Sequence, residues 1–257
     1  MSVHRIGMIV PSSNLTMETE LPRMLRDRQT VLPVDEFVFH ASRMRMKHVT
    51  PEGLRAMNAQ TERAALELAD ARPDVVTTAC LVAIMAQGPG SHCTAEDQIT
   101  AALRSEGATA PVVSSAGALL EGIAALGARR VAIVTPYLKP LTKLVADYIE
   151  DAGVEVVDAL SLEEPDNLAV ARLDPMDLRD HYKRLDLTNA DALVLSACVQ
   201  MPSLAAVQPV EDEAGLPVLT AAVATTWSIL TRLGLPTVVP GAGRLLSGEP
   251  APAGASR

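Results

Sequence analysis

Two cysteines end two stretches that read almost alike: DVVTTACLVA, from Asp74 to Ala83, and DALVLSACVQ, from Asp191 to Gln200. Each opens on Asp, continues through an apolar segment rich in Val or Leu, and closes on a small hydroxyl residue, Ala and Cys. At the end of a buried strand a thiol meets the free N–H groups of the next turn or helix. Such donors lower its pKa and favour the thiolate, the reactive form of the side chain. One cysteine in that place is equally a small hydrophobe in a core. Two at matching strand ends suit a more particular task, in which one sulfur is base or nucleophile and the other a proton donor, on two sides of a small carbon acid. Sharing one pocket, they are expected to titrate as a coupled pair and to rest as one thiolate beside one thiol.

Other chemistries find less support. The five histidines, His4, His40, His48, His92 and His181, show no His-x-x-x-His spacing, and no Cys-x-x-Cys occurs, so no metal site is indicated. A Cys–His hydrolase would need an imidazole close to the thiol, and His40 or His92 could supply one only through tertiary contact. GAGRLLSG near the C-terminus lacks the strand, helix and distant acid of a dinucleotide-binding fingerprint and reads as a terminal turn. Cys93, in GPGSHCTAED, has no twin and reads as incidental packing or exposure.

The elements that must position the cysteines are set by the apolar periods. Buried strands are expected at Arg5 to Val10, Asp74 to Ala79, Pro111 to Ala116, Arg129 to Thr135, Asp191 to Ala197 and Pro217 to Ala222. Helical patterns lie between them. PEGLRAMNAQTERAALELADA reads as one helix started by Pro51, and KPLTKLVADYIEDAG as another, stopped by Gly153. FVFHASRMRMKHV, Phe37 to Val49, sets Arg43, Arg45 and Lys47 in alternation with Met44 and Met46. That is an edge strand with a basic face, or a face that gathers anions near a site mouth.

The likeness between the halves extends beyond the cysteines. PVVSSAGALLEGIAAL answers PVLTAAVATTWSIL, and RIGMIVPSS answers RVAIVTPYL. Three matched elements in one order indicate a duplicated unit: an α/β fold of two Rossmann-like parallel-sheet lobes related by a pseudo-twofold axis, with the active site in the cleft between them. The expected division is residues 1–115 with 226–250 for the first lobe and 116–225 for the second, leaving 251–257 as a frayed tail. Ligands collect beyond the carboxyl ends of parallel strands, which is where Asn14, Cys80, Tyr137 and Cys198 fall.

The bulk composition agrees. With 257 residues, 48% hydrophobic, and only two Phe, three Tyr and one Trp, the core must be built from Ala, Val, Leu, Ile and Met. A net charge of −9 disfavours nucleic acid or an anionic membrane as partner. No apolar run reaches membrane-span length. Three cysteines without framework spacing suit a reducing, cytoplasmic setting.

IVPSSNLTMETELPRML, SRMRMK, ACLVAIM, PYLKPLT, PDNLAVARLDP, LSACVQMPSL and VVPGAGRLLSG together resemble the maleate cis-trans isomerases of the aspartate/glutamate racemase superfamily, over nearly the whole chain from Arg5 to about Gly248. One departure is Leu15, where a Thr is expected beside Asn14. The resemblance implies Cys80 as nucleophile and Cys198 as proton donor. It implies carboxylate contacts from Asn14, Tyr137 and Asn167, helped by backbone around Leu81, Val82, Val199 and Gln200. On sequence alone Asn167, after Pro-Asp, is a helix-cap or turn residue, Tyr137 a packing residue and Asn14 a cap.

The implied reaction needs no cofactor. The Cys80 thiolate adds to the C=C bond of maleate, the resulting single bond rotates in a succinyl-cysteine-type intermediate, and elimination leaves fumarate. The resemblance further implies a homodimer and a place in bacterial degradation of nicotinate-type compounds. An amino-acid racemase, or a malonate-type decarboxylase, which can manage with one cysteine, would use the same architecture. A non-catalytic dicarboxylate-binding protein would need neither thiol.

Overall fold

The computed structural model describes residues 2–249, so the tail expected over 251–257 lies outside the described residues. The first half runs β1 (Ser2–Pro11), α1 (Met17–Gln29), β2 (Asp35–Met44), α2 (Pro51–Asn58), α3 (Thr61–Ala69), β3 (Val75–Thr78), α4 (Leu81–Met85), α5 (Ser91–Ser105), β4 (Val112–Ser114) and α6 (Ser115–Ala125). The second runs β5 (Arg130–Thr135), α7 (Lys139–Asp151), β6 (Glu155–Ser161), α8 (Asn167–Val170), α9 (Leu178–His181), β7 (Ala192–Ser196), α10 (Leu204–Ala214), β8 (Val218–Thr220) and α11 (Ala221–Arg232). Strand order is β2-β1-β3-β4 in one sheet and β6-β5-β7-β8 in the other, with every pairing parallel. The two orders are the same once each strand is matched to its counterpart four strands on. The duplication read from the sequence is therefore a duplication of topology.

The repeated residues explain the repeat. Asp74, ahead of β3, accepts the Arg5 N–H of β1 at 2.6 Å, while its own N–H goes to Arg5 O at 2.8 Å. Asp191, ahead of β7, accepts the N–H groups of Arg129 and Arg130 at 3.0 and 2.9 Å and returns its own to Arg130 O at 2.8 Å. Each Asp thus sets the register of the strand that carries a cysteine against the first strand of its own sheet. At the far end the Ala before each Cys closes the ladder, Ala79 N–H to Ile9 O at 2.8 Å and Ala197 N–H to Val134 O at 3.0 Å.

Four expectations need correction. The strands expected to reach Ala116 and Ala222 stop at Ser114 and Thr220, whose hydroxyls accept the N–H groups of Gly117 and Val223 at 3.0 and 3.1 Å and start α6 and α11 at once. The single helix from Pro51 is two, α2 and α3: the backbone leaves helical geometry at Gln60 (φ −100°, ψ 0°), whose side-chain amide pairs with the Arg45 backbone on the neighbouring chain segment. The edge strand expected to reach Val49 leaves the sheet after Met44. β6 is missing from the expected strands; it is a half-exposed edge whose residues lack an unbroken apolar run.

Ile6, Met8, Val75 and Val76 in the first sheet, and Val131, Ile133, Leu193 and Val194 in the second, are fully buried, as befits sheets covered on both faces. The sheets are joined through α6 and α11, which touch at Gly122. A Cβ there would lie 3.0 Å from Leu245 Cδ2 and 3.2 Å from Ala224 Cβ, so the glycine permits the close approach. Gly153, at φ +84°, follows α7 as expected. Among the described residues, no helix is long and apolar enough to cross a membrane.

Candidate active site

The carboxyl ends of β1, β3, β5 and β7 open onto one narrow cleft. All nine residues singled out in the sequence line it: Asn14, Cys80, Leu81, Val82, Tyr137, Asn167, Cys198, Val199 and Gln200. Pro11, Met46 and Val49 complete the lining and are not marked by the sequence reading. Met46 and Val49 come from the segment after β2, where the alternation of Arg43, Arg45 and Lys47 with methionines already placed Met46 opposite the basic face.

The two thiols are held differently. Cys80 sits in the left-handed region at φ 87°, ψ 75°, and its carbonyl accepts the Ala83 and Ile84 N–H groups of the short helix α4 at 3.0 and 3.2 Å. A non-glycine residue held there stores about 1–3 kcal/mol of backbone strain, sustained by the packing around it. Cys80→Gly is therefore expected to be more stable than Cys80→Ala by about 1 kcal/mol in urea unfolding, the reverse of the usual order; an alanine variant at least as stable would remove the claim of strain. Cys198 has no positive φ. Its carbonyl accepts the Ser196 hydroxyl at 3.0 Å, and the Gln200 N–H points back at its sulfur at 3.4 Å.

Neutral donors surround the sulfurs. Asn14 Oδ1 accepts the N–H groups of Thr16 and Met17 at 3.0 and 2.9 Å at the head of α1, and its Nδ2 reaches Val199 O at 3.4 Å. It is a cap residue and a cleft residue together. Asp166, not Asn167, caps α8 by accepting the Leu168 N–H at 2.8 Å, which leaves the Asn167 amide free to donate to Ser13 Oγ at 2.9 Å. Gln200 spends its side chain on structure: Oε1 accepts the Leu15 N–H, and Nε2 donates to Ser13 O and Asn167 O. Its backbone is what remains for a ligand.

Arg43 corrects the idea of an anion-gathering face. Its guanidinium donates to Ser12 O and Asn14 O at 3.0 and 2.9 Å and pairs with Glu18, so it braces the Asn14 turn instead. Leu15 is 48% exposed and lies outside the lining, so its departure from Thr leaves the residues that line the cleft unchanged. Neither His40 nor His92 lines the cleft; His92 is hydrogen-bonded to Tyr148 at 2.7 Å. Cys93 is exposed and outside it. GAGRLLSG closes on the turn at Arg244–Leu246, and Ser247 bridges to Val238.

The N–H donors expected to favour a thiolate are in place, and burial opposes them. Burial pushes Cys80 up to about 12; the Ala83 N–H pulls the other way and the neighbouring Cys198 adds to the rise. Burial also raises Cys198, against the Tyr137 hydroxyl and the N–H groups of Gln200 and Met201, which favour its thiolate. Tyr137, raised by burial and then by both sulfurs, stays a phenol and donates to Cys198. Of the two sulfurs, Cys198 is the better provided for negative charge.

A duplicated α/β sheet that closes two thiols and a set of neutral donors around a small cleft defines an enzyme of the aspartate/glutamate racemase type. Residues 6–246 match the family described as Amdase, arylmalonate decarboxylase. The chain belongs to that family, and within it to the maleate isomerases: it is 58% identical over 245 residues to the maleate isomerase of Geobacillus stearothermophilus, covering 95% of this chain and 98% of that one. The structure of a Cys-to-Ala maleate isomerase of Pseudomonas putida S16 with maleate matches with a TM-score of 0.95 at 55% identity, covering 97% and 99% of the two chains. The Nocardia farcinica maleate cis-trans isomerase, a Cys-to-Ser mutant with a covalently bound succinylcysteine intermediate, matches with a TM-score of 0.93 at 50% identity, covering 96% and 100%.

Proposed function

We propose that this protein converts maleate to fumarate by reversible addition of the Cys80 sulfur to the double bond. The observation that carries the reading is the meeting of Cys80 and Cys198 in one narrow cleft whose polar lining is neutral. The succinylcysteine of the Nocardia relative supports a covalent path. Asn14 Nδ2, the Tyr137 hydroxyl, the Asn167 amide and the N–H groups around Leu81, Val82, Val199 and Gln200 hold the two carboxylates. They stabilise developing charge without a buried guanidinium.

The step is a relay between the two sulfurs. Cys80 Sγ bonds to C2 and the π pair moves to C3. Cys198 gives its proton to C3 and takes the Cys80 proton in exchange. Cys80 is then a thioether, Cys198 is again a thiol, and C2–C3 is a single bond. Rotation separates the carboxylates. Reversal of the relay removes a proton from C3, expels Cys80 and leaves the trans alkene. Pro11, Met46 and Val49, which line the cleft, keep water from the adduct.

The finer reading divides the lobes at 1–115 with 226–250 and 116–225, supported by the packing of α11 on α1, β3 and β4 of the first sheet. It extends to a homodimer in the cytoplasm that consumes maleate formed late in degradation of nicotinate-type compounds. The test is direct: reduced protein incubated with maleate and no added cofactor is expected to produce fumarate, followed by proton NMR. Folded, reduced protein that leaves maleate unchanged sinks the proposal.

A further inference from the structure

Resting on that reading, we propose that Thr16 and Glu20, two residues outside the cleft lining, are positioning residues that clamp the Cys198 turn to the other half of the molecule. The turn between β7 and α10 carries Cys198 and the two N–H groups, of Gln200 and Met201, that face its sulfur. A sulfur that gives and regains a proton in each cycle depends on where those donors point.

Both ends of the turn are gripped by the head of α1. Thr16 Oγ1 donates to Gln200 O at 2.6 Å. One helical turn further on, Glu20 Oε1 accepts the N–H groups of Ser203 and Leu204, each at 2.7 Å, and its Oε2 lies 3.4 Å from the Ser203 hydroxyl. At i, i+4 spacing the two side chains share one face of α1. One supplies a donor to the turn's carbonyl and the other an acceptor to the amides that begin α10. Thr16, Glu20 and Ser203 are all buried, so water does not replace either grip.

A carboxylate at the N-terminus of α10 would be an ordinary helix cap if it came from the adjoining chain. Glu20 comes from 183 residues away, and so does the partner of Gln200 O, 184 residues away in Thr16. The contact therefore fixes the peptide planes of residues 200–203 relative to the α1 head, whose preceding turn carries Asn14. Among the described residues Cys80 has no comparable tie to α1: its local partners are Ala83 and Ile84. The two thiols consequently depend on different supports, and removing the clamp disturbs Cys198 alone.

Glu20→Ala, Glu20→Gln, Thr16→Val and Thr16→Ser are to be compared for turnover and for the relative rate of alkylation of Cys198 and Cys80 by iodoacetamide, resolved by peptide mass spectrometry. Glu20→Ala is expected to lower kcat by about tenfold or more and to shift the Cys198:Cys80 ratio by about fivefold, while Glu20→Gln, which keeps an acceptor oxygen, stays within about threefold of wild type in both. Thr16→Val should move the ratio the same way and Thr16→Ser restore it, which preserves the test if Glu20→Ala does not fold. An unchanged ratio in folded Glu20→Ala or Thr16→Val overturns the clamp. Failure of the conservative variants to rescue overturns it too. The alkylation ratio needs no maleate, so a wild-type protein without isomerase activity would refute the proposed function while leaving the clamp testable.

Discussion

A Cys198→Ala variant exposed to maleate is expected to accumulate the mass of one maleic acid on Cys80, while fumarate release falls by about 10³-fold or more. Two features of the relay require this. Addition needs a proton for C3, which water reaching the cleft supplies slowly when Cys198 is gone. Elimination needs a base to take that proton back, and among the cleft side chains Asn14, Asn167 and the buried phenol of Tyr137 are not bases at neutral pH. Entry is slow but exit is slower, so the adduct persists. Cys80→Ala, treated identically, should carry no adduct and make no fumarate. Peptide mass spectrometry with time-resolved NMR separates the outcomes. An adduct on Cys198 in Cys80→Ala would exchange the roles assigned to the two sulfurs. No adduct in Cys198→Ala, where wild type turns over, would remove the covalent path.

The roles are unequal although the strands are twins, and the difference lies in the segment C-terminal to each Cys. Cys80 is forced into a left-handed backbone and leads directly into α4, whereas Cys198 enters a turn whose amides and Tyr137 face its sulfur. Symmetry of topology thus produces two sulfurs at one site, and asymmetry of the loops makes one a better nucleophile in position and the other a better seat for charge.

Much of this is legible in the chain. The repeated Asp-apolar-Ala-Cys pattern encodes both strand register and strand end, because the Asp docks on the first strand and the Ala closes the ladder. Asn14, Tyr137 and Cys198 sit immediately beyond strand ends, where position alone predicts a ligand cleft. The features that escape a sequence reading depend on distance along the chain. Met46 and Val49 reach the cleft from a segment after an edge strand, and nothing local marks their destination. Glu20 and Thr16 read as ordinary residues at a helix start; that they hold a turn more than 180 residues away is a tertiary fact. The thiol pKa escapes for a related reason. A strand-to-helix junction promises N–H donors, but the depth of burial that outweighs them comes from the whole assembled fold.

That depth leads to the second large expectation. Alkylation of Cys80 by iodoacetamide in the unliganded protein should rise about tenfold per pH unit from neutral pH to about pH 10 without a plateau, while maleate turnover changes by less than about threefold between pH 7 and 9. The sign comes from the raised pKa: below about 12 the thiolate fraction of Cys80 grows in proportion to hydroxide, and alkylation reports that fraction. Turnover does not, because in the relay Cys80 loses its proton to Cys198 during addition, and no ionisation precedes the step. A bound dianion would make prior ionisation harder still, by adding like charge beside both sulfurs. An alkylation plateau near neutral pH would mean that a thiolate rests in the cleft after all. Turnover climbing in parallel with alkylation would mean that free Cys80 thiolate, not the coupled pair of thiols, attacks the double bond.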